Sequence, residues 1–325
     1  MNNPILLCFI VFGLTLLITV LIERRLIPFL KERAAQPIYA EGPSWHLSKS
    51  GTPTMGGVAF ILACAISLSL SLLFIEDNLT ITSVLVSLMY AIGNSLVGVF
   101  DDLMKLRKKK NSGLTPIQKL ILQSLLAILF LMARRFYFND QTTINLGLFR
   151  LEMGFFYYPF AFIILLGIVN CANLTDGIDG LATSTSATIG TAFLAIGVFS
   201  AAFDITIVSS ALIGGALGFL IFNKHPARVF MGDTGSLFLG GMAVALGFST
   251  GNPLTVVFIG GIYVIEGVSV ILQVLYFKIT KKRLFKMAPL HHHLEKCGFS
   301  ENKICIISVL LTMILSAVSF LLLRK

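Results

Sequence analysis

Uncharged apolar stretches recur along this chain with short polar gaps between them. The clearest are residues 4–22, 58–75, 81–100, 120–133 with its flanks, 205–222 and 304–323. A bilayer core of roughly 30 Å is crossed by a helix of about 20 apolar residues, and a helix satisfies its own backbone polar groups in lipid. The pattern therefore predicts an all-α polytopic membrane protein. Four further stretches are weaker: 155–169 is short, 181–198 is rich in Thr and Ser, 237–249 is short and rich in Gly, and 254–277 is long and carries Glu266. Counting them gives about ten transmembrane helices. With 56% hydrophobic and 13% charged residues among 325 and a mean hydropathy of +0.87, a soluble globular fold of ordinary surface is excluded.

Charge sets the orientation. With ten spans, all 25 Lys and Arg except Arg134, Arg135, Arg150, Arg324 and Lys325 fall in the odd-numbered loops. The positive-inside rule makes those loops cytoplasmic and both termini periplasmic. Dropping one weak span would carry the basic segment 278–303 to the other face. The net charge of +9 sits beside spans and lacks an interleaved aromatic platform, so it is read as topology and anionic-lipid contact, with no nucleic-acid partner. The first span has no charged n-region and no small-residue cleavage site before Glu23-Arg24-Arg25, which reads as a retained helix. The five cysteines form no CxxC pair and read as reduced thiols. Between Arg134 and Gly154, alternation around Leu146-Gly147 predicts a small hairpin. Without a repeat or a separate soluble region, residues 1–325 read as a single integral membrane domain.

Every cluster with chemical potential lies in an odd loop. Asp101-Asp102 follows an apolar span directly and precedes Lys105; adjacent carboxylates at membrane depth need water or cations, although a charged helix end would look the same. Asn173, Asp176 and Asp179 are spaced i, i+3, i+6 in Asn173-Leu174-Thr175-Asp176-Gly177-Ile178-Asp179-Gly180, one helical face or one converging rim. An EF-hand is rejected, because Ala187 stands where its Glu is needed. Phe230-Met231-Gly232-Asp233-Thr234-Gly235-Ser236 sets a carboxylate between glycines, where backbone amides can approach a phosphate. Asn223 opens the same loop. Three adjacent histidines, His291, His292 and His293, point about 100° apart on a helix, which argues against a shared zinc ion. Lone His46 and His225 read as loop histidines. Glu266 is either a polar contact in a broken helix or part of a pathway.

Carboxylates, amides, histidines, Lys49, Lys105 and Lys119 around an apolar body suit phosphates meeting something dissolved in lipid. Joining two phosphates starts with repulsion, about 4 kcal/mol for unit charges about 4 Å apart at an effective dielectric near 20. Divalent metal and lysines would offset it. Taken together, Gly51-Thr52-Pro53-Thr54-Met55-Gly56-Gly57, Asp101-Asp102, Asn173 through Gly180, Asn223 with Phe230-Met231-Gly232-Asp233, and Pro289-Leu290-His291-His292-His293-Leu294-Glu295 closely resemble the phospho-N-acetylmuramoyl-pentapeptide transferases, a family of the polyprenyl-phosphate N-acetylhexosamine-1-phosphate transferase superfamily. The resemblance runs in order from about residue 45 to 300.

The resemblance implies ten helices in the bacterial inner membrane, a homodimer, and cytoplasmic catalytic loops beside a groove for polyprenyl lipid. It implies Mg2+-dependent transfer of phospho-MurNAc-pentapeptide from UDP-MurNAc-pentapeptide to undecaprenyl phosphate, giving lipid I and UMP in peptidoglycan synthesis. Carried over by position, Asp101, Asp102, Asp233 and His291 are catalytic, with Asp233 the metal ligand. Lys49, Thr52, Lys105, Lys119, Asn173, Asp176, Asp179, Asn223, Phe230, His292 and His293 bind substrate, the Phe230 ring near the uracil. The rivals are a relative using UDP-GlcNAc, which the unbroken triple histidine disfavours, and a transporter of phosphorylated compounds, which would need more ionisable groups near the midplane than Glu266.

Overall fold

The computed structural model describes residues 4–33, 49, 51–108, 113–139, 142–145, 147 and 149–323. His46, Ser50, Lys109, Lys110, Leu146, Arg324 and Lys325 lie outside them. The helices are α1 (Pro4–Arg33), α2 (Gly57–Ser71), α3 (Asn78–Lys108), α4 (Pro116–Tyr137), α5 (Tyr157–Thr175), α6 (Leu181–Phe199), α7 (Phe203–Asn223), α8 (Gly232–Ser249), α9 (Leu254–Ile259), α10 (Gly261–Thr280), α11 (Leu290–Lys296) and α12 (Glu301–Leu323). Among the described residues, nine helices are long and apolar enough to cross a membrane by length and composition.

The expected count of about ten differs from nine at α8. Its 18 residues would reach about 27 Å at 1.5 Å per residue, but Asp233, Thr234, Ser236 and its glycines dilute its hydropathy. Residues 234–248 are all buried, so α8 meets protein where another span meets lipid. Small residues let neighbouring helices approach its backbone. It packs chiefly between α3 and α5 and forms the centre of the bundle. Around it, α1 and α6 pack on α7, α12 on α6, and α10 on α5.

One expected span is corrected. Residues 254–277 do not form a continuous helix: the chain breaks at Gly260, between α9 and α10. Paired glycines at 260 and 261 weaken helix propensity, and the Gly260 N–H closes α9 on the Val256 carbonyl at 2.8 Å. The expected hairpin is present, with β1 (Thr143–Asn145) antiparallel to β2 (Arg150–Glu152) in register Thr143–Glu152. It is the one sheet among the described residues of an otherwise helical chain.

Short loops between antiparallel neighbours return every second gap to one end of the bundle. There the start of α2, the end of α3, the start of α4, the end of α5, the end of α7, the start of α8 and the start of α12 meet. A capping box starts α4, with Thr115 Oγ1 accepting the Gln118 N–H, Gln118 Oε1 accepting the Thr115 N–H, and Pro116 in the first turn. The loops before α2 and α8 pair through their backbones: Phe230 N–H donates to Pro53 C=O at 2.8 Å, and Gly56 N–H to Phe230 C=O at 2.9 Å.

Candidate active site

Three carboxylates form the centre. Asp101 and Asp102 lie near the end of α3, Asp233 opens α8, and oxygens from all three lie within 4.8 Å of one another. Two lysines hold this charge together. Lys105 Nζ lies 2.6 Å from Asp101 Oδ2 and 3.1 Å from Asp233 Oδ2, while Lys119 Nζ lies 3.0 Å and 2.5 Å from the same two oxygens. Asp101 Oδ2 lies within ion-pair range of both ammonium groups without forming a well-aligned hydrogen bond. Asn173, in the last turn of α5, donates from Nδ2 to Asp233 Oδ1 at 3.0 Å and to Ser236 Oγ at 2.8 Å.

The adjacent aspartates divide their work, because successive residues on a helix face about 100° apart. Asp102 turns to α8, accepting the N–H of Asp233 at 3.3 Å, the N–H of Thr234 at 2.9 Å and the Thr234 hydroxyl at 2.7 Å. These amides are the unsatisfied donors of a helix start, so Asp102 caps α8 from another helix. Gly232 makes the approach possible: its φ is +71°, and a Cβ there would lie 2.5 Å from Asp102 Oδ2. Asp101 turns to the next loop, its Oδ1 accepting the Leu114 N–H at 2.7 Å, and keeps Oδ2 between the lysines.

A second cluster lies beside the first. Lys49 Nζ is 2.7 Å from both Asp179 Oδ1 and Glu301 Oε2. Asp179 Oδ2 accepts the Ala227 N–H at 2.9 Å and faces His225 Nδ1 at 3.0 Å. Glu301, in the first turn of α12, also accepts the Asp179 N–H at 2.8 Å. Glu301 thus ties Lys49 and the α5–α6 loop to α12. In a phosphate-binding role for Lys49, Glu301→Ala is expected to raise the KM for a nucleotide substrate about tenfold, roughly 1.4 kcal/mol, with a smaller change in kcat; steady-state kinetics of the variant check it.

Asp176 closes the turn after α5, its N–H donating to Asn173 C=O at 3.2 Å. Burial pushes its pKa up to about 8, and the carboxylates of Asp233, Asp102 and Asp179 push the same way. The folded protein therefore favours its neutral form at pH 7. An acid with a raised folded pKa costs stability increasingly as pH climbs from its unfolded value near about 4. Asp176→Asn removes that cost, so its Tm is expected to exceed the wild-type Tm near about pH 7.5 and to converge on it towards about pH 4, read by thermal unfolding in detergent.

The remaining predicted residues are distributed around these clusters. Asn223 is buried and committed within the protein: Oδ1 accepts the Thr183 hydroxyl at 2.8 Å and Nδ2 donates to Val229 C=O at 3.0 Å, holding the loop that leads to Asp233. Phe230 and Thr52 are half-buried in the paired loops. The three histidines diverge as expected: His291 is buried against Glu266, His292 Nδ1 pairs with Glu295 Oε2 at 2.6 Å, and His293 Nδ1 accepts the Lys286 N–H at 3.1 Å. Sequence reasoning missed Glu301, quoted Glu295 and Ser236 within motifs without giving them a role, and passed over His225 as a loop residue. The signal for Glu301 was a carboxylate in the first turn of a helix facing the other clusters.

The central trio fits a hard divalent cation. Its donors are all carboxylate oxygens, the set that Mg2+ takes alongside phosphate and water, and the two lysines show that this spot already attracts positive charge.

Residues 81–250 match a family model described as Glycosyl transferase family 4, and residues 49–61 match Phospho-N-acetylmuramoyl-pentapeptide-transferase signature 1. The phospho-N-acetylmuramoyl-pentapeptide-transferase of Halalkalibacterium halodurans is 44% identical over 297 residues, 90% of each chain. That of Bacillus subtilis is 44% identical over 294 residues, 89% of this chain and 90% of its own. That of Desulfitobacterium hafniense is 40% identical over 313 residues, 92% of each.

Proposed function

This chain belongs to the phospho-N-acetylmuramoyl-pentapeptide transferases and to glycosyl transferase family 4, and from that premise we propose that it moves phospho-MurNAc-pentapeptide from UDP-MurNAc-pentapeptide to undecaprenyl phosphate, forming lipid I and UMP for peptidoglycan synthesis. The observation that carries this reading is the joining of Asp101, Asp102 and Asp233 by Lys105 and Lys119 at one end of a membrane-spanning bundle. Such a site can gather phosphates from water and from lipid.

The setting follows from the same end-on gathering and the charge bias. With α8 counted as a span, ten helices cross the inner membrane, both termini are periplasmic and the clusters face the cytoplasm. A homodimer is the proposed assembly. UDP-MurNAc-pentapeptide then arrives from the side where nucleotides are made, and undecaprenyl phosphate arrives within the bilayer.

The proposed chemistry is direct displacement. An oxygen of undecaprenyl phosphate attacks the β-phosphorus, the bond from that phosphorus to the oxygen bridging to UMP breaks, and UMP leaves with the electron pair. Lys105 and Lys119 offset the repulsion between the phosphates. Asp102 fixes the start of α8, while Asp101 Oδ2 and Asp233 Oδ2, between the lysines, are the carboxylate oxygens placed to orient the acceptor or take its proton. Asp233, with the Asp101–Asp102 pair beside it, would hold Mg2+, which when bound supplies charge neutralisation for the leaving phosphate. Among the described residues no Ser or Cys nucleophile with a base stands in the site, so a two-step route would have to run through an aspartyl phosphate on one of the three aspartates. Label trapped on the protein from UDP-MurNAc-pentapeptide without lipid acceptor would contradict direct displacement.

The function is tested by giving the purified protein undecaprenyl phosphate, Mg2+ and either UDP-MurNAc-pentapeptide or UDP-GlcNAc. UMP release with the first and not the second is expected; the reverse would make this a GlcNAc-1-phosphate transferase.

A further inference from the structure

Glu266 is the sixth residue of α10, nearly two turns beyond the break at Gly260, and only 4% of it is exposed. The helix is seated firmly at this point. A Cβ on Gly267 would stand 2.2 Å from Cys171 Sγ of α5, and Ser269 Oγ donates to the Glu266 carbonyl at 2.7 Å. From this seat Glu266 Oε2 accepts the main-chain N–H of His291 at 3.2 Å and faces its ring Nδ1 at 3.1 Å. A carboxylate only accepts, so the imidazole proton stands on Nδ1. One bond to the backbone and one to the ring fix both the place and the rotation of the imidazole.

The other ring nitrogen is unused. His291 is fully buried, and its Nε2 has no hydrogen-bond partner among the described residues. A Cβ on Gly177 would lie 2.1 Å from that nitrogen. Nε2 therefore points at the turn that carries Asp176 and Asp179, and only a glycine at 177 leaves room for the ring in this position. A buried polar atom without a partner costs about 1–3 kcal/mol. Keeping one here suits a partner that arrives with substrate.

We propose that Glu266 is the positioning residue for His291: it fixes the Nδ1–H tautomer and aims Nε2, as a hydrogen-bond acceptor, at a hydroxyl or acid proton of the phosphorylated substrate. The arrangement is that of a carboxylate behind a working imidazole, where the outer partner sets tautomer and direction. The proposal rests on the transferase reading of the site.

The test combines spectroscopy with kinetics on the full chain. The sequence holds 5 histidines, so ring-15N labelling gives a short spectrum, and His291→Gln assigns the resonance. The wild-type protein is expected to show His291 protonated at Nδ1 and bare at Nε2. Glu266→Leu is expected to give mixed tautomers and to lower kcat for UMP release about 10- to 100-fold, with KM for the UDP-sugar changed by less than about threefold. Glu266→Gln, which keeps an acceptor oxygen, falls between. A wild-type ring protonated at Nε2 overturns the proposal, as does a Glu266→Leu loss of kcat with the tautomer unchanged, which marks a structural role. If Glu266→Leu does not fold, the wild-type tautomer and Glu266→Gln decide. Wild-type protein that releases no UMP from any UDP-sugar overturns the transferase reading instead, and the tautomer still decides the positioning.

Discussion

Asp233→Asn is expected to abolish UMP release, with kcat lower by about 10³-fold or more. One oxygen of Asp233 lies within 3.1 Å of both Lys105 and Lys119, and the other accepts from Asn173. An amide in the same volume has one acceptor where the carboxylate had two, and no charge. Lys119 would then keep Asp101 and Lys105 would keep Asp101 and, at 4.0 Å, Asp102, while the oxygen proposed to hold Mg2+ would be neutral. The fold has less at stake, because the amides at the start of α8 are satisfied by Asp102 and not by Asp233. A fall in kcat without a matching fall in Tm is the expected signature. Asp204→Asn is the control: Asp204 accepts the Ser83 hydroxyl at 2.5 Å, at the opposite end of α3 from Asp101 and Asp102. Its rate is expected to stay within about twofold of wild type. Wild-type rates in Asp233→Asn would remove it as the metal-holding residue.

Gly98→Ala is expected to damage fold and activity together. Gly98 lies on α3 one turn before Asp101, and a Cβ there would fall 2.3 Å from the Asp233 carbonyl oxygen, 2.5 Å from its carbon and 2.6 Å from the Thr234 nitrogen. All three are backbone atoms of the first turn of α8, so no side chain can rotate away. The helices must separate. Overpacking of this kind costs about 1–3 kcal/mol, and the separation moves Asp233 relative to Asp101. Misplacement of about 1 Å at a reacting centre costs on the order of 10²-fold in rate. Thermal unfolding should show a lower Tm, and kcat should fall on that scale in the protein that remains folded. An unchanged Tm and rate would mean that α3 and α8 are less tightly joined than the geometry indicates.

Much of this was legible because membrane crossing imposes a simple arithmetic. Apolar runs separated by polar gaps place every second gap at one end, so Asp101, Asn173, Asp233 and His291 could be assigned to one face before any contact was known. The hairpin near Gly147 followed from alternation in the same way. The helix break at Gly260 entered only as one of two readings of Glu266, because residues 254–277 remain apolar across it and hydropathy does not register a break. The α8 helix scored weakly because a central helix replaces lipid-facing Leu and Ile with Gly and Ser.

Local spacing failed where partners are distant. The carboxylate partners of Lys49, Asp179 and Glu301, could not be read from spacing, since Glu301 stands 122 positions beyond Asp179. Glu266 is 25 positions from His291, so the two readings made of it missed the contact that seats His291. The contacts of Asn223 with Thr183 and Val229, which hold the loop leading to Asp233, were likewise invisible in the spacing. The division between Asp101 and Asp102 could not be read at all, since adjacent identical residues differ only in which neighbours their helix turns them towards.

The most direct measurement follows the β-phosphate. UDP-MurNAc-pentapeptide labelled at that phosphorus is incubated with purified protein and Mg2+, with and without undecaprenyl phosphate, and the solvent-extractable lipid is counted against UMP formed. The proposed transfer puts label into lipid in an amount equal to the UMP released, both dependent on the lipid acceptor and both lost in Asp233→Asn. UMP formed without labelled lipid, or labelled lipid formed undiminished by Asp233→Asn, would contradict it.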